Sequence, residues 1–161
     1  PRWVVKPDDG AGAVATRVHG GCAAALADLR ARTGAAWAEP WVDGQALSLS
    51  LLCGVAGVEL LSVNHQHIAI DHAGAVRYEG VSIDAMQRGS ARWRTLAAMA
   101  DRIADALPGL RGFVGVDLVW HDALGPVAIE VNPRLTCAYV GLSQRLERNL
   151  AAEVLQEHAL V

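Results

Sequence analysis

The chain has 161 residues, of which 52% are hydrophobic and 19% are charged, and its formal net charge at pH 7 is -3. This balance is typical of a globular protein with a real core, and the slight negative charge offers no basic field for nucleic acid. We therefore expect no nucleic-acid partner. No apolar run reaches the roughly 18 residues that a membrane span needs, so we expect no membrane partner either.

The first predicted element is a short apolar strand that ends at Lys6 and Pro7. Residues 8–13 follow as a loop of small residues that includes Gly10 and Gly12. Glycine lets a backbone approach an anion closely, and lysine adds a compact positive charge for phosphate oxygens. The loop is therefore interpreted as a phosphate-binding flap. A plain turn is the alternative, because neither a Walker motif nor a complete dinucleotide-binding motif is present.

A connector is predicted between two parts of the chain. The polar segment Glu39–Gln45 contains turn residues, and residues 46–51 then alternate leucine with alanine or serine. Such alternation is typical of a half-buried strand. We expect the connector to separate a small lobe, residues 1–45, which holds the flap and the hinge, from a large lobe, residues 46–161.

A second strand of the large lobe is predicted from Leu60 to Ile70. His65 and His67 would share one face of this strand. A His-x-His metal site has no third ligand nearby in the sequence, so a polar sheet face is the preferred interpretation. Asn64 and Gln66 would share the opposite face, where contact with a substrate is expected.

Three helices complete the predicted scaffold. The first covers residues 23–32, and the second begins at Ser90 and stops at Pro108 and Gly109. The third lies at the C-terminal end. The apolar residues at helical spacing are Trp93, Leu96, Ala100, Ile103 and Leu107 in the second helix, and Leu146, Leu150, Val154 and Leu155 in the third. Trp93 is expected in the core.

The strongest motif is a β-hairpin after the second helix. Valine and isoleucine alternate with other residues on both sides of a turn over residues 121–126. If Trp120 faces Val127, then Asp117 lies directly opposite Glu130 on one face of the hairpin. A register slip of one residue would instead place the two carboxylates on opposite faces as ordinary surface residues.

The hairpin continues into a segment with further polar groups. Asn132 shares the face of Asp117 and Glu130, because strand side chains alternate with period two. Like charges on facing positions are destabilising, so a cation is expected between them. Oxygen ligands of this kind suit Mg²⁺ or Mn²⁺. After Pro133, Arg134 adds a charged fork of donors for a phosphate or carboxylate bound to that cation.

The three cysteines, Cys22, Cys53 and Cys137, are widely spaced and odd in number. This argues against a disulfide framework and favours a reducing compartment. We expect a cytoplasmic protein in which the cysteines are small buried residues.

Together these motifs resemble the ATP-grasp superfamily, whose members show a strand ending in Lys-Pro, a glycine-rich flap, a Glu-rich hinge, and late Asp and Glu-x-Asn motifs. The resemblance implies an α+β fold of two lobes with antiparallel sheets and a nucleotide bound between them. The motifs Lys-Pro-x-Asp-Gly-Ala-Gly and Asn-Pro-Arg-Leu-Thr are most similar to the branch that contains tyramine–glutamate ligases. Family members usually carry a preceding domain. The chain is therefore expected to be the C-terminal portion of a longer enzyme, inactive as an isolated fragment.

The resemblance also implies three groups of site residues. The catalytic contacts to the transferred phosphate are Lys6 and Arg134. The residues that hold ATP are Lys6, Gly10, Ala11, Gly12, Glu39, Trp41 and Val42. The ligands of Mg²⁺ or Mn²⁺ are Asp117, Glu130 and Asn132.

The implied reaction is the ATP-dependent formation of an amide from a carboxylate and an amine, through an acyl phosphate. No side chain acts as a covalent nucleophile in this scheme. Two alternatives remain open, namely a bicarbonate-using carboxylase or carbamoyl-phosphate-forming enzyme and a nucleotide-binding module without catalysis. The expected partners are the two small-molecule substrates and the N-terminal domain of the same enzyme, and a homodimer is left open.

Overall fold

A computed structural model describes residues 1–10 and 12–158 of the chain. Within these residues the chain forms eight strands and four α-helices, and the strands belong to two sheets. The predicted α+β class is therefore confirmed. The chain divides into two compact units. Unit 1 comprises Pro1–Asp43 and His67–Gly80, and unit 2 comprises Gly44–Gln66 and the chain from Val81 onward.

Unit 1 is built on a three-stranded antiparallel sheet with the strand order β2-β1-β3. Val4 and Val5 of the central strand are buried on opposite faces of the sheet, and Ala25 of the helix, which packs against this strand, is fully buried. The predicted first strand and first helix are both confirmed. The elements are β1 (Trp3–Pro7), β2 (Arg17–His19), α1 (Cys22–Ala31) and β3 (Ala36–Pro40).

Unit 2 contains most of a five-stranded sheet with the order β6-β5-β4-β7-β8, and β5 and β6 contribute residues to both units. The strands predicted over residues 46–51 and 60–70 are confirmed within β4 and β5. The elements are β4 (Gln45–Gly54), β5 (Gly57–Ile70), β6 (Val76–Ser82), α2 (Ala91–Ala106), β7 (Gly112–His121), β8 (Gly125–Asn132), a 3-10 turn (Cys137–Tyr139), α3 (Leu142–Leu146) and α4 (Leu150–His158).

The lobe boundaries at residues 45 and 46 stay a prediction. The two units meet along the chain at Asp43 and Gly44, and residues 67–80 belong to unit 1 although they follow β4 in the sequence. This segment is the outer part of the β5–β6 hairpin, which begins within unit 2.

Side-chain alternation gives the sheet of unit 2 two different faces. One face is apolar: Leu49 of β4 and Val116 of β7 are buried with Trp93 and Leu96 of α2 in one core cluster. Burial of such side chains stabilises a fold by roughly 1.5–3 kcal/mol each. The predicted core role of Trp93 is therefore confirmed.

The opposite face changes character along its length. At one end Leu61 and Phe113 are buried against Leu142 and Leu150 of the C-terminal helices. Further along the strands the same face carries polar side chains, all of them buried: Ser48, Ser50, Ser62, Asn64 and Asn132. The candidate site lies on this polar stretch, because Ser48 is the cross-strand neighbour of Asp117.

The main helix of unit 2 starts where the sequence predicts. Ser90 is the N-cap, and its side chain accepts a hydrogen bond from the backbone N–H of Trp93 at 3.2 Å. This satisfies one of the N–H groups that a helix start leaves without a partner. The helix ends at Ala106, so Leu107 is the C-cap and lies exposed rather than on the predicted apolar stripe.

The prediction of one C-terminal helix is wrong, because two helices form there. Glu147 ends α3 in the left-handed backbone conformation, at φ +55°. Asn149 then starts α4, since its Oδ1 accepts a hydrogen bond from the N–H of Ala152 at 3.1 Å. Between them, Arg148 forms a two-bond ion pair with Glu59 of β5, at 2.6 and 2.9 Å. The backbone turn at Glu147, the cap at Asn149 and the ion pair of Arg148 together separate α3 from α4.

Only one of the three cysteines is buried as predicted. Cys53 is buried, and burial raises the pKa of its thiol. Cys22 and Cys137 are exposed, so the prediction that all three are buried is wrong. In the part of the chain that the structure describes, no helix is both long enough and apolar enough to cross a bilayer.

Candidate functional site

The β7–β8 hairpin brings the two predicted carboxylates together. Asp117 is the direct cross-strand partner of Glu130, as predicted. The register nearer the turn differs, however, because Trp120 faces Pro126 rather than Val127. The ladder shifts between Asp117 and Leu118, where β8 carries one extra residue, Ile129. The predicted pairing of Trp120 with Val127 is therefore wrong.

This bulge decides which face Glu130 occupies. If the register set at the turn continued without an extra residue, Glu130 would face Val116, whose side chain is fully buried in the apolar core. The extra residue resets the ladder, so that Val131 faces Val116 and Glu130 faces Asp117. Bulges are common beside active sites because they redirect a side chain in this way.

Hydrogen bonds link the polar groups that follow one another on this face. Asn132 Nδ2 lies 3.5 Å from Asp117 Oδ2, and Arg134 Nη2 donates to Asn132 Oδ1 at 3.2 Å. Gln66 Nε2 donates to Asp117 Oδ1 at 2.8 Å. Asn132 is buried, Asp117 is half-buried and Glu130 is exposed. The exposure of these three side chains therefore increases from Asn132 through Asp117 to Glu130.

The expected substrate contact is not available to Asn64, which is fully buried. Its Oδ1 accepts from Ser62 Oγ at 2.9 Å and from the N–H of Asp84 at 3.2 Å. Its Nδ2 donates to Ser50 Oγ at 3.1 Å. Asn64 thus ties β5 to β4 inside the sheet, and the sequence pattern, which gives only the face of a strand, carried no sign of this burial.

The donor set fits a hard divalent cation. Asp117 and Glu130 face each other, and Asn132 carries an amide oxygen that here accepts from Arg134. If this oxygen turned to a metal, all three ligand atoms would be oxygens, as Mg²⁺ and Mn²⁺ prefer. Among residues 1–10 and 12–158, no group of three His, Cys, Asp or Glu side chains could hold a metal, and this includes His65 and His67. The candidate centre therefore has two carboxylates and one amide.

Gly115 makes room for the segment that carries Arg134. It faces Asn132 across the ladder, and a Cβ placed on it would lie 2.5 Å from Cγ2 of Thr136. A side chain at this position would push the Pro133–Thr136 segment away from β7. The glycine therefore positions the residues that follow Asn132, although the sequence pattern did not single it out.

In unit 1, two of the residues predicted to hold ATP contact each other. Lys6 Nζ lies 2.7 Å from Glu39 Oε1, and the ammonium group also lies 5.7 Å from the ring centroid of Trp37. Lys6 faces Trp37 across the β1–β3 ladder, and Glu39 faces Val4. The lysine is largely buried, so its charge is held in one place by a carboxylate and an aromatic face.

The predicted flap joins β1 to β2. Gly12 has a φ of +63°, and a Cβ on Gly10 would lie 2.6 Å from Cγ of Pro7. A side chain on Gly10 would therefore meet the ring of Pro7, and Gly12 adopts the left-handed conformation that glycine reaches most easily, while Ala11 lies outside the described residues. Ala13 and Ala15 also have positive φ, at 63° and 55°. Non-glycine residues are uncommon in this region and are held there at a cost of about 1–3 kcal/mol each.

The hinge residues Trp41 and Val42 are half-buried. The backbone N–H of Trp41 donates to the carbonyl of Arg2 at 3.0 Å, and its indole N–H donates to Asp43 Oδ1 at 3.0 Å. Both N–H groups of Trp41 are therefore used inside unit 1, and neither is available as a donor to a nucleotide in this structure.

A protein-family comparison matches residues 1–138 to the family described as the ATP-grasp domain. The tyramine–L-glutamate ligase of Methanocaldococcus fervens is 35% identical over 121 residues, which cover 75% of this chain and 37% of the relative. The chain thus spans little more than a third of this curated relative.

Solved structures share the fold. The D-alanine–D-alanine ligase of Bacillus anthracis has a TM-score of 0.73 at 15% identity, over 98% of this chain and 54% of that one. The biotin carboxylase domain of the 2-oxoglutarate carboxylase of Hydrogenobacter thermophilus, crystallised with MgADP and bicarbonate, has a TM-score of 0.77 at 10% identity. It is matched over 100% of this chain and 37% of its own.

Proposed function

This chain belongs to the ATP-grasp domain family, and we propose that it is the nucleotide- and metal-binding portion of a ligase that joins a carboxylate to an amine. Because the chain covers 37% of its curated relative, the activity is proposed for the complete protein of which this chain is a part. The name of that relative, a tyramine–L-glutamate ligase, supports a carboxylate and an amine as the substrate classes.

The observation that carries the proposal is the arrangement on the β7–β8 hairpin. Asp117 and Glu130 face each other, and Asn132 is bonded to Arg134 at 3.2 Å. Two facing carboxylates destabilise a hairpin unless a cation offsets their repulsion. A permanently charged arginine beside such a pair favours a bound phosphate or carboxylate rather than a purely structural cation.

Asp117, Glu130 and Asn132 would hold Mg²⁺ or Mn²⁺, which when bound supplies positive charge against the phosphate oxygens of ATP. Arg134 would orient the transferred phosphoryl group or the carboxylate that receives it. In unit 1, Lys6 would contact phosphate oxygens, and Gly10, Ala11 and Gly12 would cover them. Glu39 and the backbone of Trp41 and Val42 would hold the adenine and the ribose.

The sequence of bond changes follows from ordinary phosphoryl-transfer chemistry. The carboxylate oxygen attacks the γ-phosphorus, the bond to the β–γ bridging oxygen breaks, and ADP leaves with an acyl phosphate in place. The amine then attacks the acyl carbon, phosphate leaves, and the nitrogen loses a proton to give the amide. Positively charged groups aimed at the transferring phosphoryl group supply most of the rate in such reactions. A cytoplasmic location is also proposed, and the three free cysteines favour it.

The test is substrate-dependent ATP turnover by the complete protein. ADP and phosphate should form only when a carboxylate and an amine are both supplied, and mass spectrometry should detect the amide. Glu130→Gln should abolish turnover with the fold intact, whereas Asp122→Asn, which removes an exposed carboxylate from the turn of the same hairpin, should leave it unchanged. Unchanged turnover by Glu130→Gln would contradict the metal assignment. Incorporation of labelled bicarbonate would indicate a carboxylase instead.

A further inference from the structure

We infer that Gln66 is a positioning residue for the metal ligand Asp117, an inference that rests on the proposed function. Gln66 Nε2 donates to Asp117 Oδ1 at 2.8 Å, a shorter contact than the 3.5 Å from Asn132 Nδ2 to Asp117 Oδ2. Gln66 therefore fixes the rotation of the carboxylate and leaves Oδ2 on the side of Asn132.

The contact spans two strand spacings. Gln66 belongs to β5 and Asp117 to β7, and β4 lies between these strands in the sheet. β5 and β7 are thus roughly 10 Å apart, at about 4.8 Å for each spacing. Ser48 of β4 is the neighbour of Asp117 and presents a small side chain on the shared face. A long amide side chain on β5 can therefore pass over β4 and reach the carboxylate.

The strand that carries Gln66 is itself fixed by buried hydrogen bonds. Asn64, two residues before Gln66, faces Ser48 and contacts Ser50, Ser62 and the backbone N–H of Asp84. Since strand side chains alternate between the two faces, Gln66, two residues after Asn64, lies on the same face of the sheet. The amide of Gln66 is therefore presented from a strand of the sheet rather than from a loop.

The chemistry of the amide explains why glutamine suits this position. A neutral N–H donor holds a ligand carboxylate without adding charge, whereas a carboxylate would add repulsion and a cation would oppose the metal. Partners of this kind orient metal ligands, and their loss typically lowers metal affinity by roughly 10–100-fold. Gln66 would accordingly affect metal binding without itself contacting the metal.

The test measures Mn²⁺ affinity by electron paramagnetic resonance, together with the melting temperature of the metal-free protein. Gln66→Met removes the donor at similar volume, and Gln66→Asn keeps an amide that is too short to reach Asp117. Both variants should weaken Mn²⁺ binding by roughly 10–100-fold. Gln87→Met, an exposed glutamine of the same unit, should change the affinity less than about twofold, since it contacts no proposed ligand.

A spectroscopic signature separates positioning from general structural support. The side-chain amide signals of Gln66, assigned through Gln66→Met, should shift when Mg²⁺ is added to the wild-type protein, and Asp117→Asn should remove that shift. If the wild-type protein binds no Mn²⁺, the proposed function fails. If the wild-type protein binds Mn²⁺ and both Gln66 variants bind it equally well, the inference fails while the proposed function stands. A loss of affinity that matches a loss of metal-free stability would also overturn the positioning role.

Discussion

Asp117 lies directly opposite Glu130 beside the bulge at Ile129, so the β7–β8 hairpin holds two carboxylates on facing positions. Facing side chains have Cβ atoms only about 5 Å apart, and like charges there reduce stability by about 0.2–1 kcal/mol. Without metal, Glu130→Gln should therefore raise the free energy of unfolding by about that amount. Urea unfolding in a chelator measures it. A destabilised variant would show that Glu130 supports the fold through another contact.

Gly115 gives a second prediction, because a Cβ there would lie 2.5 Å from Thr136 Cγ2. Gly115→Ala should lower the free energy of unfolding by about 1–3 kcal/mol, as overpacking does elsewhere. Thr136→Ser removes the methyl group that the new Cβ would meet, so the double variant should recover most of the loss. Denaturant unfolding of the two single variants and the double variant gives the coupling. Purely additive effects would contradict the close approach.

Measurements at acidic pH test the ion cluster that Asp28 of α1 forms with Arg32 and His19. A side-chain hydrogen bond from Arg32 is the largest cause that lowers the pKa of Asp28 below its ordinary value of 3.8, with His19 adding to it. A lowered folded-state pKa stabilises the protein above the unfolded pKa, and this stability is lost as pH falls through the folded pKa.

Arg32→Gln should therefore lower the free energy of unfolding at pH 7 by about 0.3–0.5 kcal/mol, the usual value of an i,i+4 helix pair. The difference from wild type should shrink as Asp28 becomes protonated in the folded protein. Urea titrations at several pH values below 5 measure this, with the exposed Arg30→Gln as control. A difference that is constant down to the lowest pH would rule out Asp28 as the partner.

The N-cap of α2 yields a prediction that is independent of the site. Ser90 accepts a hydrogen bond from the N–H of Trp93 at 3.2 Å, and its replacement by alanine should cost about 1 kcal/mol. Ser90→Asp should restore most of this stability, because aspartate caps helices equally well. Thermal unfolding of the three proteins distinguishes them. Equal loss in both variants would mean that the serine hydroxyl has a role other than capping.

Local patterns predicted much of the fold, because apolar alternation and helix signals are local. Ser90 and Pro108 marked the main helix within two residues, and the alternation around residue 48 gave β4. The pairing of Asp117 with Glu130 was also predicted, although through a register that fails at Trp120. Two register changes cancel. Near the turn, Trp120 pairs with Pro126, one residue earlier in β8 than predicted, and the extra residue Ile129 then restores the predicted pairing at Asp117.

Other features could not be predicted, because they depend on which elements become neighbours. Gln66 and Asp117 are 51 positions apart in the chain and meet only because β5 and β7 flank β4. The break between α3 and α4 follows from Arg148, whose ion pair with Glu59 spans 89 positions. A sequence pattern gives the face of a side chain but not the strand that lies beside it.

Calorimetric titration of the protein with ATP, in the presence and absence of Mg²⁺, tests the central claim most directly. The wild-type protein should bind ATP more tightly with Mg²⁺, and Asp117→Asn should lose the magnesium-dependent part without a fall in melting temperature. The control Asp122→Asn should bind as the wild type does. Equal affinity for ATP with and without Mg²⁺, or magnesium-dependent binding that survives in Asp117→Asn, would contradict the assignment of the metal site to the β7–β8 hairpin.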